Sequence, residues 1–213
     1  MGKLNIAIVP VTPFEQNCTL IWNETSRAGV VIDPGGDVSR IMQAIEQSEM
    51  TVEKILLTHG HLDHVGGAME LKQRLEVEII GPHEDDEPLC SSVEKVAEMY
   101  GLPGTFRSVS PDRWLNEGDT VNIAGYEFEV IHCPGHAPGH VIFYSAQHGF
   151  AHVGDVLFRG SIGRTDLPGG DHEQLISSIK NKVLPLGDEV NFICGHGPGG
   201  NLGEERKTNP FLQ

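Results

Sequence analysis

The segment Thr58-His59-Gly60-His61-Leu62-Asp63-His64 places four metal-ligating side chains within six consecutive positions. Neutral imidazoles and carboxylates together suit a divalent cation with open coordination positions, whereas a closed structural zinc is more often built from thiolates. In a tight loop His59 and His61 can face one way while Asp63 and His64 face the other, so the segment can serve two adjacent cations. Three further residues stand in similar settings: His136 closes Cys133-Pro134-Gly135-His136, Asp155 follows Gly154, and His196 follows Gly195. Each comes after an apolar run and a glycine, where the backbone can turn sharply beside a site. Two adjacent cations sharing a water would bring its pKa down toward roughly 7, and one of them could polarise a carbonyl.

The chain has 11 histidines, so a structural role must be weighed for each. An isolated histidine is most often solvent-facing or a hydrogen-bonded core residue. His132, His140, His148, His152 and His172 are read that way, since none belongs to the dense segment. The run His83-Glu84-Asp85-Asp86-Glu87 lacks helical or strand spacing that would converge its side chains, and it reads as a solvated turn without function.

The elements that must position the ligands follow from periodicity. Leu4 to Val9, Cys18 to Trp22 and Gly29 to Ile32 read as strands, the last stopping at the turn signal Asp33-Pro34-Gly35-Gly36. Val38, Ile41, Met42 and Ile45 recur at helical spacing behind Asp37, a candidate N-cap. Lys54 to Thr58 is a short buried strand, Gly66 to Leu75 a helix, Val77 to Ile80 a strand and Ser91 to Tyr100 a helix. The second half repeats the plan, with strands at Thr120 to Ile123, Tyr126 to Ile131, Val141 to Tyr144 and Phe150 to Val153. Leu175, Ile176, Ile179 and Val183 mark a helix, and Val190 to Cys194 a last strand. Strands followed by helices, twice over, predict an α+β fold with two sheets face to face and helices outside. No low-complexity linker divides the halves, and residues 1–213 are expected to form one domain.

Composition narrows the function. Fifteen Lys and Arg against 30 Asp and Glu give a formal charge of −15, which repels phosphate backbones and argues against a nucleic-acid partner. Cys18, Cys90, Cys133 and Cys194 lie far apart without a C-x-x-C pair and are expected to be reduced thiols. No apolar stretch approaches the roughly 18 residues of a membrane span, and the opening MGKLNIAIVP is too short for a secretory core. A cytoplasmic location without membrane contact is the expectation.

The motif THxHxDH with a later His, Asp and His resembles the signature of the metallo-β-lactamase superfamily. The resemblance implies a four-layer αββα sandwich, with His59, His61 and His136 on one metal, Asp63, His64 and His196 on the other, and Asp155 bridging. The segments Cys133 to His140, Gly154 to Phe158 and Gly163 to Asp166, with the closing Glu205 to Gln213, are similar to the glyoxalase II branch in its compact bacterial form, which lacks the helical C-terminal domain of longer members. That likeness implies two divalent cations, zinc before iron or manganese, and a glutathione thioester substrate. It further implies hydrolysis of S-D-lactoylglutathione to D-lactate and glutathione by a metal-bridging hydroxide, with Asp63 and Asp155 as the catalytic carboxylates and Arg164 facing the glutathione portion. Two other readings compete. A non-haem iron persulfide dioxygenase would carry the same HxHxDH segment but needs only one iron, and a noncatalytic metal-binding module would leave the open positions without purpose.

Overall fold

In a computed structural model, which describes residues 2–102 and 105–213, the chain forms two sheets packed face to face. The first sheet holds β1 (Leu4–Val11), β2 (Gln16–Asn23), β3 (Ala28–Ile32), β4 (Thr51–Leu56) and β5 (Glu78–Ile80) in that order. β1, β2 and β3 form an antiparallel meander, after which β3, β4 and β5 run parallel. A parallel pair needs a crossover. These are supplied by α1 (Val38–Ser48) and by α2 (Leu62–Val65) with α3 (Ala68–Leu75). The helices α4 (Glu87–Ser91) and α5 (Val93–Tyr100) follow β5.

The second sheet contains β6 (Thr120–Ile123), β7 (Tyr126–His132), β8 (Val141–Ser145), β9 (Phe150–His152), β12 (Asn191–Ile193) and β13 (Gly200–Asn201), in the order β13-β12-β9-β8-β7-β6. A small hairpin of β10 (Leu157–Phe158) and β11 (Ser161–Ile162) and the helix α6 (His172–Ser178) lie between β9 and its parallel neighbour β12. A π-helical turn, Ile179–Val183, extends α6 and keeps Ile179 and Val183 buried before Pro185. α7 (Leu202–Thr208) closes the fold.

Side chains alternate across each strand, and here both faces are covered. Ile21, Val30, Ile32 and Leu56 of the first sheet meet Phe128, Val130, Val141 and Phe143 of the second in a shared inner core. Leu20, Val31 and Ile55 point the other way, onto Ile41, Ile45 and Leu71 of α1 and α3. Ile131, Ile142 and Phe192 likewise pack on Leu175, Ile179 and Leu202. Burial on both faces explains why β3, and the Ile55-Leu56 end of β4, read as continuous apolar runs rather than alternating ones. Helix, sheet, sheet, helix is the predicted four-layer α+β sandwich.

The differences from expectation lie at the ends of elements. β4 stops at Leu56 because the Thr58 N–H turns aside to the Asp33 carboxylate, 2.8 Å away. The helix expected over residues 66–75 is split around Gly66-Gly67, where the Gly67 N–H donates to Pro34 O at 2.9 Å instead of continuing the helix. Asp37 stands at the N-cap position but in the left-handed region, φ 47°, and its carboxylate accepts the Thr12 N–H rather than capping α1. Asp86, assigned to a solvated turn from the sequence, is fully buried.

Candidate metal centre

All seven sequence-predicted ligands lie beyond the C-terminal ends of strands on one edge of the sandwich. His59 to His64 follow β4, His136 follows β7, Asp155 follows β9 and His196 follows β12. The two sheet edges are stitched together there. The Asn17 N–H donates to Gly195 O at 2.7 Å, the Asn17 side chain donates to Cys194 O and Gly197 O, and the Val141 N–H donates to Thr58 O at 2.8 Å. Convergence of ligands 137 positions apart in sequence, from His59 to His196, is thus fixed by backbone hydrogen bonds near the site.

His59, His61 and His136 form one group. The His136 Nε2 atom is 2.9 Å from His61 Nδ1 and 3.2 Å from His59 Nε2. Two nitrogens on one tetrahedral zinc at about 2.05 Å are separated by about 3.3 Å, so these spacings match the edges of a shared coordination shell. Asp63, His64 and His196 form a second group, with Asp63 Oδ2 at 3.2 Å from His196 Nε2 and 3.9 Å from His64 Nε2. Asp155 stands between the groups. Its Oδ1 is 3.3 Å from His64 Nε2, and its Oδ2 is 3.6 Å from His136 Nε2 and 3.5 Å from His196 Nε2.

The outer nitrogens are held by a hydrogen-bond chain that selects the tautomer, as ligating histidines require. Thr58 Oγ1 donates to Asp33 Oδ2 at 2.6 Å and so accepts from His59 Nδ1 at 3.0 Å. His64 Nδ1 donates to the same Asp33 oxygen at 2.9 Å. His136 Nδ1 donates to Arg164 O at 2.8 Å and His196 Nδ1 to Phe14 O at 3.1 Å. In all four rings the Nε2 lone pair is left facing inward. Among the described residues, His61 Nε2, His64 Nε2 and Asp155 Oδ1 are buried without a hydrogen-bond partner. A buried unmet polar atom costs roughly 1–3 kcal/mol, and divalent cations between the two groups would satisfy His64 Nε2 and Asp155 Oδ1.

Protonation fits the same picture. Burial, reinforced by neighbouring imidazoles, holds His59 well below the ordinary histidine range and brings His61 down to about 3; burial also lowers His136. These rings are neutral at pH 7, the form in which an imidazole can hold a metal. Burial works against charge on His64, but Asp155 and Asp63 outweigh it and hold the ring well above its usual value. Burial likewise pushes Asp155 up, and His64, His136 and His196 overcome it, keeping the carboxyl ionised. The field that favours a proton on His64 favours a cation in its place.

Three residues that the sequence reading passed over support this arrangement. Asp33, read as part of a turn signal, is the fully buried carboxylate that orients His64 and, through Thr58, His59. Its position after the apolar run of β3, matching that of Asp155 after β9, is the signal that could have marked it. Asp86 accepts the Gly60 N–H at 2.7 Å and the Gly139 N–H at 2.5 Å, clamping the His59–His61 loop to the loop carrying His136. His140 is a buried, hydrogen-bonded histidine, as expected, but its place is next to the ligands: Nε2 accepts the Asp155 N–H at 3.0 Å and the ring stacks on His59 with centroids 4.6 Å apart. Gly195 has no alternative, because a Cβ there would collide with Asp155 Oδ1 and His64 Cε1. Arg164 touches the centre through its backbone carbonyl, while its guanidinium is exposed and paired in two bonds with Asp166.

Comparison with known proteins agrees with this architecture. The family model of the metallo-beta-lactamase superfamily matches residues 11–196. The chain is 50% identical to the hydroxyacylglutathione hydrolase GloC of Haemophilus influenzae over 210 residues, which cover 98% of each chain. Among solved structures, TTHA1623 in a di-iron-bound form is 39% identical with a TM-score of 0.86, covering 97% of this chain and all of that one. The BLEG-1 B3 metallo-beta-lactamase is 34% identical with a TM-score of 0.89, covering 98% of this chain and 99% of its own. With its two groups of His and Asp ligands at the edge of an αββα sandwich, the chain belongs to the metallo-β-lactamase superfamily.

Proposed function

We propose that this chain, acting as one domain, is a metal-dependent thioester hydrolase that cleaves S-D-lactoylglutathione to D-lactate and glutathione. The observation that carries the reading is the position of Asp155 between two ligand groups, one oxygen toward His64 and the other toward His136 and His196. His59, His61 and His136 would hold one divalent cation and Asp63, His64 and His196 the other, with Asp155 shared. Zinc is the favoured ion on the donor set. The 50% identity to the Haemophilus influenzae GloC supports the substrate class. When bound, such ions supply a water acidic enough to ionise near neutral pH and a charge that polarises a carbonyl.

The residues set the rest. Burial raises the Asp63 carboxyl, but His64 and His196 outweigh it and keep the group ionised; with its side chain 21% exposed, it can accept a hydrogen bond from an arriving water and orient it. A thiol of pKa about 8.5 departs as thiolate without a strong acid, which matches a ligand group, His59, His61 and His136, whose imidazoles burial holds neutral. Arg164, 60% exposed, can exchange its partner Asp166 for a carboxylate of the glutathione portion. The four cysteines are free and buried, in keeping with the reducing cytoplasm where glutathione thioesters form. No helix among the described residues is long and apolar enough to cross a membrane.

The complete second group favours this reading over a one-iron persulfide dioxygenase, in which His64 and His196 would have no metal to hold. The test is to purify the protein, count its metals, and follow S-D-lactoylglutathione hydrolysis beside oxygen uptake with glutathione persulfide. Thioester turnover with two ions per chain is expected. Oxygen uptake with one iron and no thioester turnover would overturn the proposal.

A further inference from the structure

A second cluster of ligating side chains lies on the outer side of the loop that carries His136. His83 precedes the short 3-10 turn Glu84–Asp86, Asp85 sits within that turn, and His132 ends β7. One nitrogen or oxygen from each lies within 4.8 Å of the others. We propose that His83, Asp85 and His132 form a separate site for a divalent transition-metal ion, distinct from the pair held by the seven ligands.

The donor set is right for such an ion. Two imidazoles and one carboxylate, with positions left for water, suit Zn²⁺, Ni²⁺ or Cu²⁺ rather than Mg²⁺ or Ca²⁺. His132 is already oriented as a ligand. Its Nε2–H donates to Pro138 O at 2.8 Å, which fixes the tautomer and leaves the Nδ1 lone pair free. His83 Nδ1 lies 3.2 Å from both the Asp85 N–H and the Asp85 Oδ2. The two rings are stacked, with centroids 4.3 Å apart and planes inclined by 14°. Parallel rings cannot both hold one ion in plane, so occupancy requires the His83 ring to turn about χ2, a broad torsion for histidine.

The surrounding charge favours a cation. Glu84, Asp86 and Glu87 flank Asp85 in sequence, and the nearby cation, Lys182, is paired with Glu117 at 3.1 Å. The acidic run cannot converge on itself by local spacing; His132, 47 positions after Asp85, supplies what the run lacks. An ion there would tie the 83–86 turn to the Pro138 side of the His136 loop.

The experiment uses the holoprotein as purified, with its resident ions in place, dialysed against buffered free Zn²⁺ from nanomolar to sub-millimolar and counted by mass spectrometry. One additional ion per chain, bound in the micromolar range, is expected. His83→Ala and Asp85→Asn should each weaken it at least tenfold while leaving the resident ions and thioester turnover unchanged. Because the site is read as the difference between wild type and variant, the result does not depend on how many ions the main centre holds. As a measurement without variants, Ni²⁺ should broaden the ring-proton resonances of His83 and His132 before those of His148 or His172. Absence of an additional ion, or one that survives undiminished in both variants with no selective broadening, would overturn the proposal.

Discussion

Replacing Asp33 by Asn leaves the shape of the buried side chain nearly unchanged and alters only what it can accept. In the native chain Asp33 Oδ1 accepts the Thr58 N–H, while Oδ2 accepts from both Thr58 Oγ1 and His64 Nδ1, at 2.6 and 2.9 Å. In the Asp33→Asn variant the first bond survives, but an NH₂ group replaces Oδ2. The Thr58 hydroxyl can rotate to accept. His64 cannot adapt without cost: either its Nδ1–H faces another donor, or the proton moves to Nε2, which points at Asp155 and is then lost as a ligand. A hydrogen bond to a charged group contributes roughly 1.5–3 kcal/mol, which corresponds to about 10- to 100-fold in affinity. The penalty should fall on the cation held by Asp63, His64 and His196. The other cation keeps His59, whose Nδ1–H still reaches Thr58 Oγ1. Stepwise Zn²⁺ dissociation constants, measured by competition with a chromophoric chelator on protein shown to be folded by circular dichroism, should show one step weakened by that factor and one nearly unmoved. Two unchanged constants, or two weakened equally, would refute the role of Asp33 in selecting the His64 tautomer.

Other perturbations separate the remaining roles. Asp155→Ala removes the carboxylate between both ligand groups and should abolish most metal retention and turnover. His140→Ala removes the acceptor of the Asp155 N–H, a loss of roughly 1–3 kcal/mol, and the ring stacked on His59, but no candidate ligand, and should cause a smaller drop in both; equal losses, by metal count and kcat, would contradict the central place of Asp155. Burial pushes the Asp86 carboxyl up to about 6 from 3.8, against the lowering effect of the Gly139 and Gly60 N–H groups. The folded chain therefore binds this proton more tightly than the unfolded chain. Its contribution to stability is fully present below about pH 4 and is lost as the pH rises through 6, by an amount on the order of 3 kcal/mol. Urea titrations of the metal-free protein should show wild type losing ground to Asp86→Asn between pH 4 and 7, and a pH-independent difference would rule this out. Arg164→Ala should leave metal content and stability nearly unchanged, since its pair with Asp166 is exposed and screened by solvent. Its KM for the thioester should rise severalfold, and an unchanged KM would remove Arg164 from substrate binding.

The sequence by itself carried the layer plan and the set of candidate ligands. Hydrophobic periodicity is a local property, so β1 to β9 and α1 emerge within a few residues of their ends, and the density of His and Asp at positions 59–64 is too high to be explained by core packing. Short elements without periodicity, the β10–β11 hairpin, β13 and α7, were not legible for the same reason. Tertiary structure alone decided which polar residues serve the centre from behind. Asp33 and Asp86 carry ordinary turn sequences, yet folding buries each carboxylate beside donors from segments 25 or more positions away, the Thr58 N–H and the His64 imidazole for Asp33 and the Gly60 and Gly139 N–H groups for Asp86. A buried carboxylate must find such donors or lose its charge, and sequence spacing holds no record of that pairing. His132 shows the same limit, since nothing in its own neighbourhood reveals that His83 stacks against it. Ligand identity is written in residue type, whereas ligand orientation, tautomer and support are properties of contacts made only once the two sheets have closed on each other.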